Sequence, residues 1–210
     1  SAMGVLPGGR GNDLARVLGL PRDPVRACAV LSADHERTID IGLAGKRPFV
    51  GIASCGYDSH ANRIANGATR LPAQLVYLYG GLGALARWRP ADFQVTADGQ
   101  TRELRGYTVA VANSSTYGNG MRIAPDASME DGHFDVILIS DMARARFLLH
   151  LGEVFAGTHT RLREVEVLRA QSVSITASEP FALYADGDVL AELPATLEID
   201  PAAVRVRVPA

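Results

Sequence analysis

The sequence contains very little lysine and very little cysteine. Of its 21 basic residues, Lys46 alone is a lysine, which disfavours any mechanism that needs several lysines. The 2 cysteines, Cys28 and Cys55, are far apart and form no Cys-x-x-Cys pair. This spacing excludes a disulfide framework and a zinc cluster, and it is typical of reduced cytosolic thiols.

The chain also lacks an excess of positive charge and lacks a long hydrophobic run. Its 21 basic and 23 acidic residues leave a net charge of -2, whereas a nucleic-acid-binding protein would usually carry a basic surplus. Nucleic acid is therefore not a predicted partner. The longest apolar stretch, 75–86, has 12 residues and is interrupted by glycine, against the roughly 20 that a transmembrane helix needs.

The chain has enough hydrophobic residues, 47%, to form a core. Its hydrophobic pattern predicts many short strands. Capping and glycine signals predict short helices from Asn12 or Asp13 to Gly19 and from Pro24 to Leu31. Asp98-Gly99 predicts a hairpin turn. The remaining predicted elements are helices at 72–87 and 142–156 and strands at 38–43, 47–54, 93–95, 102–104, 107–112, 134–139, 164–168, 173–177, 181–184, 195–199 and 204–208. This order predicts an α+β fold dominated by an antiparallel β-sandwich.

The first segment that could carry chemistry is a glycine-rich turn, Gly8-Gly9-Arg10-Gly11-Asn12-Asp13. It places several backbone N–H groups at the start of a helix, where the helix dipole favours an anion such as phosphate. No Gly-Lys-Ser/Thr follows, so the turn is not a Walker loop. A purely structural turn before a helix is the alternative interpretation.

The second segment is a long polar loop, 113–135, between two apolar strands. Oxygen ligands are concentrated there, and such ligands suit a hard cation such as Mg²⁺. The acidic and hydroxyl side chains concerned are Asp126, Ser128, Glu130, Asp131 and Asp135. The alternative is a solvated hairpin in which Asp131-Gly132 supplies the turn.

The third segment is Asp186-Gly187-Asp188, in which two carboxylates flank a glycine after a predicted strand. A carboxylate can take a proton from an attacking hydroxyl or hold a metal that does so. The alternative is again a hairpin turn at Asp-Gly. Serine-hydrolase chemistry has no support, because no Gly-x-Ser-x-Gly motif is present, and the 5 histidines show no ligand spacing.

Taken together and in order, these segments resemble the diacylglycerol kinase catalytic family, which includes bacterial lipid kinases and sphingosine kinases. Residues 9–16 resemble its Gly-Thr-x-Asn-Asp-Phe-Ala-Arg motif, and 56–58 resemble a Gly-x-Asp element. Residues 117–135 are similar to its glycine-rich stretch ending in Asp-Gly, and 186–188 resemble its Asp-Gly-Glu. The similarity covers nearly the whole chain, in the position of the family's C-terminal part.

The resemblance implies a two-domain kinase with an active site in the cleft between an α/β nucleotide domain and a β-sandwich domain. It implies that Asp188 occupies the position of the catalytic base, with Asp186 beside it. It also implies ATP and Mg²⁺ as cofactors. The implied nucleotide side consists of Gly9, Arg10, Asn12 and Asp13; the implied structural Mg²⁺ site consists of Ser128, Asp131 and the backbone carbonyl of His133.

Three departures from the family pattern affect this expectation. The family's Gly-Gly-Asp-Gly-Thr nucleotide motif normally lies upstream of Gly8 and is absent, so we expect a fragment that lacks most of the ATP-binding domain and is inactive by itself. Arg10 stands where threonine is usual, and Asp188 is one methylene shorter than the family's glutamate. The expected division is a nucleotide-domain remnant at 1–35, a substrate domain at 36–193, and C-terminal strands at 194–210 that return to the nucleotide domain.

The function implied for the intact protein is transfer of the γ-phosphate of ATP to a lipid hydroxyl. The implied partners are a lipid such as diacylglycerol and the inner face of a membrane, which a cytoplasmic protein would contact peripherally; a homodimer is left open. Arg87 and Arg89 beside Trp88 could contact that surface, although an aromatic residue packed on the core is the favoured interpretation of Trp88. Two other functions stay open, a non-catalytic lipid-binding or regulatory module and a kinase of a soluble substrate related to NAD kinases.

Overall fold

The computed structural model describes residues 1–9, 11–57 and 88–210. The predicted helix at 72–87, and the residues Arg10, Asp58 and Arg87, lie outside the described residues. Within the described ranges, no helix combines the length and the apolar character that crossing a bilayer requires.

The two predicted N-terminal helices are confirmed, and local sequence signals set their ends. Helix α1 is Asp13–Val17 with Asn12 as its N-cap, and Gly19 has the positive φ of 70° that ends it. Helix α2 is Pro24–Leu31. The Asp23 carboxylate caps α2 by accepting a hydrogen bond of 2.8 Å from the Arg26 backbone N–H.

The rest of the described chain is mainly strand, and neighbouring strands in the sheet run antiparallel. The predicted α+β class is therefore confirmed. The strands are β1 Glu36–Ala44, β2 Arg47–Phe49, β3 Ile52–Gly56, β4 Ala91–Ala97, β5 Gln100–Ala112, β6 Phe134–Ser140, β7 Val165–Ala170, β8 Ser172–Ala177, β9 Ala182–Ala185, β10 Asp188–Glu192 and β11 Ala195–Arg207. Their order is β10-β9-β3-β5-β4-β8-β11-β1-β2, and β6 pairs with both β5 and β7.

The hairpin predicted at Asp98-Gly99 joins β4 to β5, and both turn residues have positive φ, 46° and 82°. Beyond this turn, β5 runs without interruption through two segments that were predicted as separate strands, 102–104 and 107–112. The pairing of β5 with β6 shifts register between Gly106 and Thr108. A β-bulge lets one long strand bend there and continue.

Two further predictions about strands are wrong. The stretch 47–54 is not one strand, because it breaks into β2 and β3 at Val50 and Gly51, whose N–H groups bond to a side chain instead of a strand. The segments 195–199 and 204–208 are one strand, β11, which bends at Ala202 with φ 52°. Strand β10 was not predicted, since its sequence does not alternate cleanly.

The single helix predicted at 142–156 is two short helices, α3 Arg144–His150 and α4 Glu153–Ala156. The break falls at Leu151 and Gly152, and glycine is a poor helix former. A 3₁₀ turn at His159–Arg161 follows and leads into β7.

The buried hydrophobic residues form two clusters. The larger lies inside the sheet and includes Trp88, Phe134 and Leu183, so the prediction that Trp88 packs on the core is confirmed. The smaller cluster joins the N-terminal helices to the outer strands through contacts among Leu18, Ile39 and other residues. Its fully buried members are Ala15, Leu18, Leu20, Val30, Ile39, Met129, Val206 and Val208.

Candidate active site

Three polar turns that are far apart in sequence meet around one cleft of about 800 Å³. The first turn precedes α1, the second follows β5, and the third joins β9 to β10. Asp188 is the first residue of β10 and directly follows the third turn. The residues that the three turns contribute to the cleft wall are Gly11, Asn12 and Asp13, then Ser114, Thr116, Tyr117 and Gly118, then Asp186 and Gly187.

Asn12 closes the glycine-rich turn. Its backbone is left-handed, with φ 51°, a conformation that asparagine tolerates better than most residues. Its Oδ1 accepts from the Gly9 N–H at 2.7 Å and its Nδ2 donates to the Gly9 carbonyl at 2.9 Å. The side chain therefore holds the turn in one shape beside the cleft, with Gly11 and Asn12 on the cleft wall.

Asp13 connects the first turn to the second. Its carboxylate accepts hydrogen bonds of 2.8 Å from the backbone N–H groups of Asn119 and Gly120. Arg16, one turn along α1, forms an ion pair with the same carboxylate. Because these bonds join residues more than a hundred positions apart, Asp13 fixes the relative position of two walls of the cleft.

Asp186 and Asp188 have different surroundings. The Asp186 carboxylate accepts from the backbone N–H groups of Val50 at 2.7 Å and Gly51 at 2.9 Å. Asp186 and Gly187 have φ of 52° and 97°, so the Asp-Gly pair is a hairpin turn as well as part of the cleft. The Asp188 side chain is exposed, and no hydrogen bond or ion pair joins it to another residue of the described ranges.

Two buried polar residues that sequence reasoning missed support this arrangement. Asp40, only 2% exposed, accepts from the backbone N–H of Gly132 at 2.8 Å and of Ala202 at 2.7 Å. Asn113, fully buried, donates through Nδ2 to the carbonyls of Asp40 at 2.9 Å and Val50 at 2.8 Å. A carboxylate between two isoleucines in an apolar strand was the available signal for Asp40.

In the loop predicted to hold a metal, the candidate oxygen atoms bond to groups of the protein itself. Ser128 Oγ accepts from the Glu130 N–H at 3.2 Å, and Asp131 Oδ1 accepts from the His133 N–H at 3.1 Å. The other oxygen of Asp131 lies 2.6 Å from the Arg169 guanidinium. In the described parts of the chain, no three His, Cys, Asp or Glu side chains are grouped closely enough to hold a metal.

Several carboxylates lie near one another in this loop. Burial raises the pKa of the Asp135 carboxyl above its ordinary value; Arg169 opposes this rise, whereas Asp131 and Asp126 increase it. Mg²⁺ commonly binds through one or two carboxylates and keeps several waters. Asp131, His133 and Ser128 are the donors that the resemblance implies for it, and both carboxylate oxygens of Asp131 already have partners in the protein.

The remainder of the cleft is largely apolar. Strands β3, β6 and β7 and helices α3 and α4 all contribute apolar side chains to its lining. His150 also lines the cleft, and its Nδ1 lies 2.8 Å from Glu153 Oε1. The apolar side chains of this lining include Ile52, Ile139 and Val165 from the strands and Phe147, Leu151 and Val154 from the helices.

The antiparallel sheet and its cleft define a β-sandwich domain, and comparisons with known families bear out this class. Residues 51–208 match the YegS C-terminal NAD kinase beta sandwich-like domain, which confirms the predicted sandwich. Residues 1–44 match the diacylglycerol kinase catalytic domain. The chain therefore belongs to the diacylglycerol kinase family.

Individual relatives agree with this assignment. The chain is 33% identical over 211 residues to a diacylglycerol kinase of Mycobacterium tuberculosis (strain ATCC 25618 / H37Rv). The aligned region covers 97% of this chain and 68% of the relative. It is 29% identical over 201 residues to a diacylglycerol kinase of Bacillus subtilis (strain 168), covering 91% of this chain and 64% of that protein. The chain thus spans about two thirds of the length of these relatives.

The fold itself recurs in a solved structure. A crystal structure described as that of a diacylglycerol kinase from Bacillus anthracis superimposes with a TM-score of 0.75 over 99% of this chain and 67% of that chain. The two sequences are 19% identical, so this likeness concerns the fold.

Proposed function

We propose that this chain forms the lipid-binding and base-supplying part of an ATP-dependent lipid kinase. The proposal concerns the whole protein, because the chain spans about two thirds of its relatives. The observation that carries it is the cleft, which is lined both by the three polar turns and by many apolar side chains. A lipid with a hydroxyl beside a hydrocarbon chain likewise combines a polar and an apolar part.

In the proposed reaction, the lipid hydroxyl oxygen attacks the γ-phosphorus of ATP while the bond from that phosphorus to the bridging oxygen of ADP breaks. Phosphoryl transfer asks mainly for positioning and charge neutralisation from the protein. Asp188 would take the hydroxyl proton, since its carboxylate is exposed and unpartnered among the described residues. Asp186 would hold the turn that carries Asp188, through its bonds to Val50 and Gly51.

The nucleotide side of the proposed site is the turn before α1. The resemblance assigns it to Gly9, Arg10, Asn12 and Asp13, of which Arg10 lies outside the described residues. Asn12 shapes the turn and Asp13 ties it to the loop after β5. In this proposal these two side chains preserve the shape of the site, and backbone N–H groups of the turn meet the phosphates.

The apolar lining favours a lipid over a soluble nucleotide substrate. Phe147, Leu151 and Val154 face the cleft and offer neither hydrogen bonds nor charge to a sugar or a base. The proposed protein would be cytoplasmic and would contact a membrane peripherally, since its substrate resides there. The proposed layout remains a nucleotide-domain remnant at 1–35, a substrate domain at 36–193 and returning strands at 194–210.

The function is tested by replacing Asp188 with asparagine in the full-length protein and measuring phosphorylation of diacylglycerol. A general base contributes about 10²–10⁴-fold, so we expect kcat to fall by that order while the melting temperature stays unchanged. Asp186→Ala is the comparison variant, and it should lower both activity and stability because it frees two backbone N–H groups. Full activity of Asp188→Asn would remove Asp188 from the mechanism.

We also propose that Mg²⁺ binds at Asp131, the His133 carbonyl and Ser128, where it would stabilise the loop. The expected result is a rise in melting temperature when Mg²⁺ is added, and loss of most of that rise in Asp131→Ala. Glu179→Ala removes an exposed carboxylate elsewhere and should keep the full Mg²⁺ effect. Equal melting temperatures with and without Mg²⁺ would count against this site.

A further inference from the structure

Helices α3 and α4 expose an unusual amount of hydrophobic surface. Leu149 is 78% exposed, Leu148 is 43% exposed and Phe155 is 55% exposed. Neither helix has a fully buried residue. Large apolar side chains gathered at one exposed place usually mark a contact with another molecule or with a membrane.

The exposed leucines lie on a different face of α3 from the side chains that line the cleft. Phe147 and Leu151 are four residues apart and both line the cleft, as expected for one helix face. Leu148 and Leu149 are not among the cleft residues, and they point away from that face. Helix α3 is thus apolar toward the cleft and apolar toward solvent, a pattern that favours contact with hydrocarbon on the outer side.

The charges around these helices are positive. From α3 to the start of β7, residues 144–164 contain four arginines and two glutamates, a net charge of +2, whereas the whole chain carries -2. Glu164 is shared by Arg146 and Arg163, at 3.1 Å and 2.8 Å. Arg161 is exposed and has no charged partner among the described residues. Such a surface complements the anionic headgroups of a phospholipid bilayer.

We propose that the outer face of α3 and α4 docks this protein on an anionic lipid bilayer, with Leu148, Leu149 and Phe155 inserted below the headgroups and Arg161 and Arg163 among them. This inference rests on the proposed function, because it places the cleft beside the membrane that holds the substrate. Phe155 belongs to both surfaces, since it lines the cleft and is exposed. Phe155 would therefore connect the membrane-facing surface to the cleft.

Binding to vesicles tests the proposal with this chain as it stands. We expect co-sedimentation with vesicles of an equal mixture of phosphatidylglycerol and phosphatidylcholine, weaker binding to phosphatidylcholine alone, and a decrease as salt screens the charges. Leu149→Gln should lower the partition coefficient about tenfold, from the loss of one inserted apolar side chain. Val25→Gln, at a residue of α2 that is 76% exposed, is the matched control and should bind like the unchanged chain.

A charge-reversal pair tests the electrostatic part separately. Arg161→Glu should lower binding to the phosphatidylglycerol vesicles about tenfold, and Arg22→Glu, an exposed arginine near α2, should not. Unchanged binding of Leu149→Gln, or equal losses in Leu149→Gln and Val25→Gln, would overturn the proposal. It would also be overturned if Leu149→Gln left vesicle binding intact but abolished dimers in light scattering, since a second copy would then cover this face.

A separate assay keeps this inference distinct from the proposed function. Phosphorylation of a water-soluble, short-chain diacylglycerol by the full-length protein does not require docking. Leu149→Gln should keep that activity and lose activity on vesicles. Absence of activity on the soluble substrate in the unchanged protein would contradict the kinase proposal while leaving vesicle binding as an independent result.

Discussion

At the scale of single residues, the two carboxylates of the Asp186-Gly187-Asp188 turn differ in their hydrogen bonds. Both carboxylate oxygens of Asp186 accept hydrogen bonds from the backbone N–H groups of Val50 and Gly51. Asp186 is therefore poorly placed to accept a proton from a substrate. The exposed Asp188 has no such bonds within the described residues. Neighbouring residues of one motif therefore differ in their surroundings, because the Asp186 carboxylate is a hydrogen-bond acceptor of the fold and the Asp188 carboxylate is exposed.

His159 offers a prediction at this scale. It is 2% exposed, and its Nε2 lies 3.1 Å from the Ile123 carbonyl oxygen. Burial lowers its pKa below the ordinary 6.5, despite opposing contributions from the Ile123 carbonyl, the Glu153 charge and the Glu153 carbonyl. The folded state then binds a proton more weakly than the unfolded state. The free energy of unfolding should therefore be unaffected by His159 above about pH 6.5 and should fall as the pH is lowered below it.

The measurement is urea unfolding at about pH 7.5 and about pH 5.5, on either side of the ordinary histidine pKa. His159→Gln cannot titrate, so the loss of stability between the two values should be smaller in this variant than in the unchanged protein. His35→Gln, at an exposed position, should keep the full loss. Equal pH dependence in His159→Gln and the unchanged protein would contradict the prediction.

At the scale of secondary-structure elements, the break between β2 and β3 decides the geometry of the third turn. The sequence 47–54 is apolar enough for one strand, but the Val50 and Gly51 N–H groups turn toward Asp186 instead of continuing a ladder. Gly51 is required there because a Cβ would lie 2.5 Å from Asp186 Oδ1. The break between two strands is thus a contact site for the hairpin that carries Asp188.

Gly51→Ala should therefore destabilise the fold by about 1–2 kcal/mol, since the carboxylate must leave its two hydrogen bonds. It should also lower the activity of the full-length protein, because the turn that carries Asp188 would shift. Gly8→Ala is the control, as a Cβ at Gly8 meets nothing within 4 Å. Chemical denaturation of the two variants makes the comparison, and equal stabilities would refute the steric argument.

At the scale of the whole molecule, Asp40 joins parts of the chain that are far apart in sequence. Its carboxylate bonds to Gly132 in the proposed metal loop and to Ala202 at the bend of β11. Its carbonyl accepts from Asn113, which in turn bonds to Val50 beside the Asp186 contact. One buried side chain therefore ties the central cleft to the outer strands.

Asp40→Asn should cost about 1–3 kcal/mol of the free energy of unfolding, because an amide offers one oxygen where two N–H groups need an acceptor. Hydrogen exchange at the Gly132 and Ala202 N–H groups should also become faster. Asp200→Asn changes an exposed carboxylate on β11 and should leave stability and exchange unchanged. Stability of Asp40→Asn equal to that of Asp200→Asn would contradict the proposed importance of Asp40.

Features governed by neighbours within a few residues were predictable from the sequence. The ends of α1 and α2 follow from Asn12, Gly19 and the Asp23-Pro24 cap, and the Asp98-Gly99 hairpin follows from residues that accept positive φ. The order of motifs also predicted the family. For the helix ends and the hairpin, the groups that interact are close together in the chain, so the local sequence is enough to predict them.

Only the tertiary structure decided how the polar turns are held and where the strands divide. The bond from Asp186 to Val50 joins residues 136 positions apart, and the bond from Ala202 to Asp40 joins residues 162 positions apart. No local pattern encodes such partners, because a carboxylate in a turn or strand looks alike whether it faces water or a distant backbone N–H. The sequence by itself determined the local elements and the family, whereas long-range hydrogen bonding to buried or reoriented backbone groups determined the cleft.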